Sequence, residues 1–216
     1  MTDEQKRVYK DLQKQAKASL SKGTVTITHL ITQIIRLHQV SCGFVGLDNG
    51  GLTELPSQRL TELMEILEET DGKVIIWAVY RHDIQEIERT LGEKYGKETV
   101  ATYYGDTKDS IRQSIVDRFM DPGDSLRFFV GNPKTGGYGL TLTSSHTVVY
   151  YSNDYSLEVR LQSEDRAHRI GQTSKVTYVD LMADHTIDEK IVKALNAKID
   201  LASQVMGEDP KKILFG

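Results

Sequence analysis

A chain of 216 residues that is 38% hydrophobic and 27% charged carries enough apolar material for a sizeable core without covalent staples. Its single cysteine, Cys42, excludes an internal disulfide and a multi-cysteine zinc site, and no apolar run approaches the roughly 18 residues of a membrane span. The net charge of −4 excludes a generally basic nucleic-acid binder and leaves room for a local basic strip on an acidic body.

Taken in order, Thr2–Leu20 predicts a polar helix with Val8 and Leu12 on one side and Thr2 or Asp3 as its N-cap. Thr24–Ser41 opens on β-branched residues and continues with Leu30, Ile34 and Leu37 at helical spacing. Asp48–Gly51 reads as a turn. From Pro56 the pattern becomes β/α alternation. Ser57 caps a helix through Glu69, and Lys73–Val79 is a short apolar run suited to a parallel strand buried on both faces. A helix over Arg81–Tyr95, a strand over Thr99–Tyr103 and a helix from Thr107 to Met120 follow. Leu126–Val130, Thr147–Tyr151 and Val176–Leu181 are further strands, and Ile187–Met206 is a final helix opened by a Thr186–Glu189 capping box. This alternation predicts an α/β fold, a parallel β-sheet flanked by helices with right-handed crossovers, behind a helical N-terminal extension. The expected division is a lead-in over 1–55 and the α/β domain over 56–216.

Two stretches carry chemistry. Leu157–Gln172 reads as one helix stopped by Gly171, and at about 100° per residue it places Gln162, Arg166 and Arg169 on one face. Guanidiniums keep their charge in any site and grip phosphate oxygens with a planar fork, so this face suits a polyanion; the plainer reading is a solvated charged face. Asn132–Leu142 follows a strand and holds Gly136, Gly137 and Gly139, which bring backbone N–H groups near a ligand; a tight strand-to-helix turn would use the same glycines.

The string from Gln162 through Asp165, Arg166, His168, Arg169 and Gly171 to Gln172 resembles the last helicase motif of superfamily 2 ATPases. It is most similar to the Swi/Snf-type DNA translocases, whose Q-x-x-D-R-x-H-R-x-G-Q pattern is matched at every fixed position. Lys134, Gly136, Gly137, Gly139, Leu140, Leu142 and Thr143 resemble the penultimate motif; Asn132-Pro133, Thr135 and Thr141 depart from it, and His146 stands where an Asp is usual. Lys73–Ile87 and Gly105-Asp106-Thr107 with Arg112 resemble two further elements of the same lobe. The Cys-Asn-His-Pro sequence usual before the lobe is replaced by Ser41-Cys42-Gly43-Phe44.

The resemblance implies the second RecA-like lobe of a DNA-dependent ATPase. It implies that Arg166 and Arg169 are arginine fingers, that Gln162 helps set the catalytic site, and that Gly137, Gly139 and Asp165 lie at the nucleotide. By the same resemblance Arg81, Thr107, Arg112, Lys134 and Thr135 face double-stranded DNA. His168 is expected to pack or hydrogen-bond rather than catalyse. The resemblance also implies ATP with Mg2+ as cofactor, held mainly by an N-terminal lobe; in this chain no G-x-x-x-x-G-K-[ST] occurs, and Gly92…Gly96-Lys97 is one residue short of it. His and Cys residues show no metal-ligand spacing. The expectation is a fragment that hydrolyses essentially no ATP alone, from a bacterial or viral-host cytoplasm, or the nucleus of a eukaryote. The alternatives are a stand-alone DNA- or protein-binding lobe and a Rossmann-type dinucleotide enzyme, the latter disfavoured because no third Gly follows Gly137 and Gly139 at the required spacing.

Overall fold

The computed structural model describes residues 1–21, 26–135, 140–168 and 175–206. The backbone forms two compact units, one of Met1–Met64 with Met182–Lys190 and the other of Glu65–Leu181 with Ile191–Gly216. The first unit therefore runs past residue 55, where the composition changes, and takes in a late segment.

In the first unit, α1 (Asp3–Ser21) opens on a capping box. The Thr2 hydroxyl accepts from the Gln5 backbone N–H at 3.3 Å, and the Gln5 side-chain oxygen accepts from the Thr2 N–H at 2.9 Å. α2 (Ile27–Cys42) is capped by Thr26 and ends at Gly43, whose φ of 105° lets its N–H reach the Gln39 and Val40 carbonyls. Tyr9, Val40 and Leu55 form a small core, with Val8, Leu12 and Leu37 against it. β1 (Phe44–Gly46) and β2 (Leu52–Glu54) make an antiparallel hairpin around the expected Asp48–Gly51 turn. Three residues per strand are too few to show alternation, so the turn was legible and its strands were not.

A buried carboxylate organises the same unit. Asp188, at the start of α7 (Ile187–Met206), accepts from the Ser41 hydroxyl at 2.6 Å, the Ala183 N–H at 3.0 Å and the Arg59 guanidinium, with His38 Nε2 3.7 Å away. The expected box at Thr186 closes slightly upstream, because Glu189 accepts from the His185 N–H at 2.8 Å.

In the second unit, five parallel strands lie in the order β4-β5-β3-β6-β7. They are β3 (Lys73–Trp77), β4 (Val100–Tyr103), β5 (Phe128–Gly131), β6 (Ser145–Tyr150) and β7 (Thr177–Asp180). Ile75, Trp77, Phe129, Val148 and Tyr150 share one core with Ile115 and Phe119 of α5 (Asp109–Met120). Val74 and Ile76 alternate to the other face and are equally buried, as a sheet covered on both sides requires. α3 (Arg59–Glu68) lies across the boundary between the units, its first turn held by Ser57. α4 (Arg81–Tyr95) buries Ile84, Ile87 and Leu91.

Two helix starts and stops differ from expectation. α5 begins after Lys108, not at Thr107, whose hydroxyl turns back to donate to the Thr102 carbonyl and accept from the Tyr104 N–H, each at 3.0 Å. α6 spans Leu157–Asp165 and does not continue to Gln172 as one helix. The Arg166 carbonyl is taken by the Leu142 N–H at 2.8 Å and so leaves the helical ladder. Arg166, the C-cap of α6 with helical φ and ψ of −68° and −34°, still follows Gln162 by one turn, while Arg169 lies outside the described residues.

Candidate functional site

The loops leaving the C-terminal ends of parallel strands are where an open α/β sheet binds ligands. In this sheet they carry Arg81 after β3, Thr107 after β4, Lys134 and Thr135 after β5, and α6 after β6. Hydrogen bonds tie these exits together: the Asn132 amide donates to the Val79 carbonyl at 2.8 Å, and the Val79 N–H donates to the Ser152 hydroxyl at 2.9 Å.

Arg166 is the centre of this edge. It is only 6% exposed, its Nη1 donates to the Thr135 carbonyl at 3.3 Å, and its guanidinium lies 5.2 Å from the Trp77 ring centroid. Among the described residues no carboxylate lies within ion-pair distance of it. Burial pulls its pKa below the usual arginine value, and the Tyr150 and Tyr103 hydroxyls only partly oppose this. A guanidinium does not deprotonate in a protein, so the site holds a desolvated charge that an anion would neutralise. Trp77 Nε1, also buried, has no hydrogen-bond partner among the described residues.

Both flanks of the glycine-rich loop grip this arginine. Thr135, before residues 136–139, receives its side chain, and Leu142, after them, binds its carbonyl. Gly137, Gly139 and Arg169 lie outside the described residues.

The other expected residues are engaged in various ways. Gln162 donates to Glu158 at 3.0 Å on the exposed side of α6, and half-buried Asp165 is the last helical residue. Arg81 pairs with Asp106 at 2.7 Å, and Lys134 with Asp154 at 2.7 Å. Arg112 Nε donates to the Thr107 carbonyl at 3.1 Å and Nη2 to the Tyr104 carbonyl at 3.3 Å, bracing the turn that holds Thr107. His168 is exposed at the end of the described stretch that follows α6.

Sequence reasoning missed Arg160. Its Nη1 donates to Asn153 at 2.8 Å and to Asp180 at 2.5 Å, its Nε to Glu164 at 2.7 Å, and its guanidinium stacks 3.6 Å from the Tyr150 ring centroid. Burial works against its charge, but Tyr150, Asp180 and Glu164 outweigh it and hold the proton more tightly than usual. The Tyr150 hydroxyl, pushed up by burial, shares a 2.6 Å hydrogen bond with Ser163. These contacts fix α6 to β6 and β7, and so fix where Arg166 begins. The only signal was Arg160 and Glu164 at i, i+4.

Comparison with known proteins bears on the family and the fold. The model of the helicase conserved C-terminal domain matches residues 58–171. An ATP-dependent helicase of Schizosaccharomyces pombe, fft2, is 31% identical over 156 residues, which is 71% of this chain and 12% of that protein. The mouse SWI/SNF-related matrix-associated actin-dependent regulator of chromatin subfamily A member 1 is 37% identical over 102 residues, 47% of this chain and 10% of that protein. The chain thus spans a small part of the relatives it matches. Among solved structures, the Sulfolobus solfataricus SWI2/SNF2 ATPase core shares the fold with a TM-score of 0.72 at 24% identity, over 93% of this chain and 43% of that one. The C-terminal part of the Fun30 ATPase domain gives 0.57 at 26% identity, over 63% and 44%. With the motif residues gathered at one sheet edge and the domain match covering more than half of its length, the chain belongs to the helicase conserved C-terminal domain family, as a RecA-like lobe of the Swi/Snf type.

Proposed function

We propose that this lobe supplies an arginine finger to ATP hydrolysis in a two-lobe, DNA-dependent ATPase. The observation that carries the reading is Arg166: a buried guanidinium with no carboxylate partner among the described residues, at the mouth of the sheet. Arg166 would meet the phosphates of ATP held on a preceding lobe and neutralise charge on the transferring phosphoryl, an effect of roughly 10³–10⁵ in turnover. Arg169 would be the second finger, with Gln162, Asp165, Gly137 and Gly139 around the nucleotide. Magnesium supplies charge neutralisation at the phosphates when bound, and belongs with the preceding lobe. No cluster of His, Cys, Asp and Glu fit for a metal occurs among the described residues.

Duplex DNA would run along the edge bearing Arg81, Thr107, Arg112, Lys134 and Thr135. Support comes from the Sulfolobus core of the same fold, which was solved in complex with dsDNA. Arg81 and Lys134 would exchange Asp106 and Asp154 for phosphate oxygens, whereas Thr107 and Arg112 would act mainly by shaping their turn and its backbone amides. Chromatin-remodelling relatives favour a nuclear setting if the source is eukaryotic; a bacterial or viral source would place the lobe in the cytoplasm.

The test is ATP hydrolysis by the two-lobe protein with and without duplex DNA. Arg166→Ala should abolish DNA-stimulated turnover while ATP binding to the preceding lobe persists. The isolated lobe should show essentially none. Turnover that survives the substitution would overturn the finger assignment and leave the stand-alone binding lobe as the better reading.

A further inference from the structure

One charged surface lies outside the site. Arg7, Lys10, Lys14 and Lys17 recur along α1 at intervals of three, four and three residues, within an arc of about 80° at helical periodicity. All four are exposed, and they point away from the face on which Gln5 and Tyr9 are buried and Leu12 packs. Among the described residues none of the four has a carboxylate within ion-pair distance. Asp3, at the start of the helix, is paired with Lys6 at 3.3 Å, and Asp11 stands on the flank of the row. Arg81 and Lys134, by contrast, are each covered by an aspartate.

The charge is unevenly divided along the chain. Residues 1–42 hold seven Lys and Arg against three Asp and Glu, leaving 20 against 28 for the remaining 174 residues. α2 contains no acidic residue at all. A basic row on a positive segment of a negative chain is a local electrostatic footprint that the net charge conceals.

We propose that the Arg7–Lys10–Lys14–Lys17 face of α1 is a second DNA-binding surface that takes the phosphate backbone of a duplex without reading its sequence. The row is about 15 Å long at 1.5 Å per residue, enough to lie along several phosphates. Three of the four are flexible, solvated lysines, which meet phosphates as point charges and so give affinity with little sequence preference. That the ligand is duplex DNA rests on the proposed function; the row itself does not.

The test uses this chain and a fluorescent duplex of about 20 base pairs, with anisotropy read across a salt series. The variant Lys10→Glu/Lys14→Glu/Lys17→Glu is compared with Lys97→Glu/Lys175→Glu/Lys190→Glu, which makes the same charge change at other exposed positions. The first should weaken binding at least tenfold and flatten the log–log salt dependence by about 2–3, the share of three phosphate contacts. The second should stay within about threefold of wild type. A Lys→Gln version of the first triple, with unchanged helix content by circular dichroism, guards against loss through unfolding and should weaken binding in the same direction. Equal losses in the two Glu triples, or a wild type that binds heparin but not the duplex, would overturn the proposal. Arg81→Ala/Lys134→Ala separates the two readings: its failure to weaken binding would count against the sheet edge and leave the α1 row standing.

Discussion

The Arg160 guanidinium lies over the Tyr150 ring, 3.6 Å from its centroid, and from there reaches Asp180 on β7 and Glu164 on its own helix. Removing it leaves two carboxylates and a tyrosine ring in a half-dry pocket. Breaking such a buried arrangement costs about 3–5 kcal/mol. Arg160→Met should therefore lower the urea midpoint of the isolated chain by a cost of about 3 kcal/mol at unchanged slope, with Arg160→Lys recovering only part of it. A change below about 0.5 kcal/mol would mean that the network is not formed in solution.

Arg166 should behave in the opposite way. Its charge is buried without an acid among the described residues to balance it, and the Thr135 carbonyl and Trp77 ring offset its desolvation only in part. Arg166→Met should leave the thermal midpoint of the isolated lobe unchanged or raise it, while the same substitution in the two-lobe enzyme removes turnover. A large loss of stability would make the residue structural instead.

Asp188 gathers Ser41, Arg59 and the Ala183 N–H in the first unit. Asp188→Ala strands the Arg59 guanidinium in a buried place, at a cost of about 3 kcal/mol. Hydrogen exchange should then rise in α2 and around Ala183, where the lost partners sit.

A pH-dependent term comes from Glu88 on α4. Burial raises its pKa, and a hydrogen bond from Thr102 only partly offsets this. The folded state thus favours the protonated form, and stability falls as pH rises from the unfolded glutamate value, about 4.3, through the folded one. Glu88→Gln should raise the thermal midpoint at pH 7–8, with the gain shrinking as pH falls below the ordinary carboxylate range. A gain of equal size at pH 4 would assign the effect to something other than ionisation.

Lys134 and Arg81 are each covered by an aspartate that competes with phosphate. Asp154→Asn and Asp106→Asn should each raise affinity for duplex DNA by a few-fold at low salt, measured by anisotropy. Weaker binding in both would show that the aspartates orient the cations for DNA instead of masking them.

The alternation of strands and helices was readable because each element is long enough to display its period. The bounds of α4 and α7 agree with the reading to the residue, and the parallel sheet follows from runs such as Lys73–Trp77. The end of α6 was not readable, since Leu157–Gln172 contains good helix formers and the element is ended by a bond from Leu142, distant in sequence. The start of α5 was misplaced at Thr107 because a threonine hydroxyl at a helix start suits local capping, yet that hydroxyl has a nearer use in the turn before it. Arg166 was legible through its motif, whereas Arg160 was not, because its partners Asp180 and Tyr150 meet it only after folding.

The double hold on Arg166, by Thr135 on its side chain and Leu142 on its backbone, ties the arginine to the chain on both sides of residues 136–139. A ligand that displaces Thr135 or Leu142 must also displace the arginine, or break one of the two bonds. If duplex DNA occupies the loop and ATP faces the arginine, thermodynamic reciprocity requires each to change the other's affinity by the same factor. In a motor half working as proposed, sensor and actuator would not be separate: the segment that meets the track and the group that responds to fuel would be joined by two hydrogen bonds.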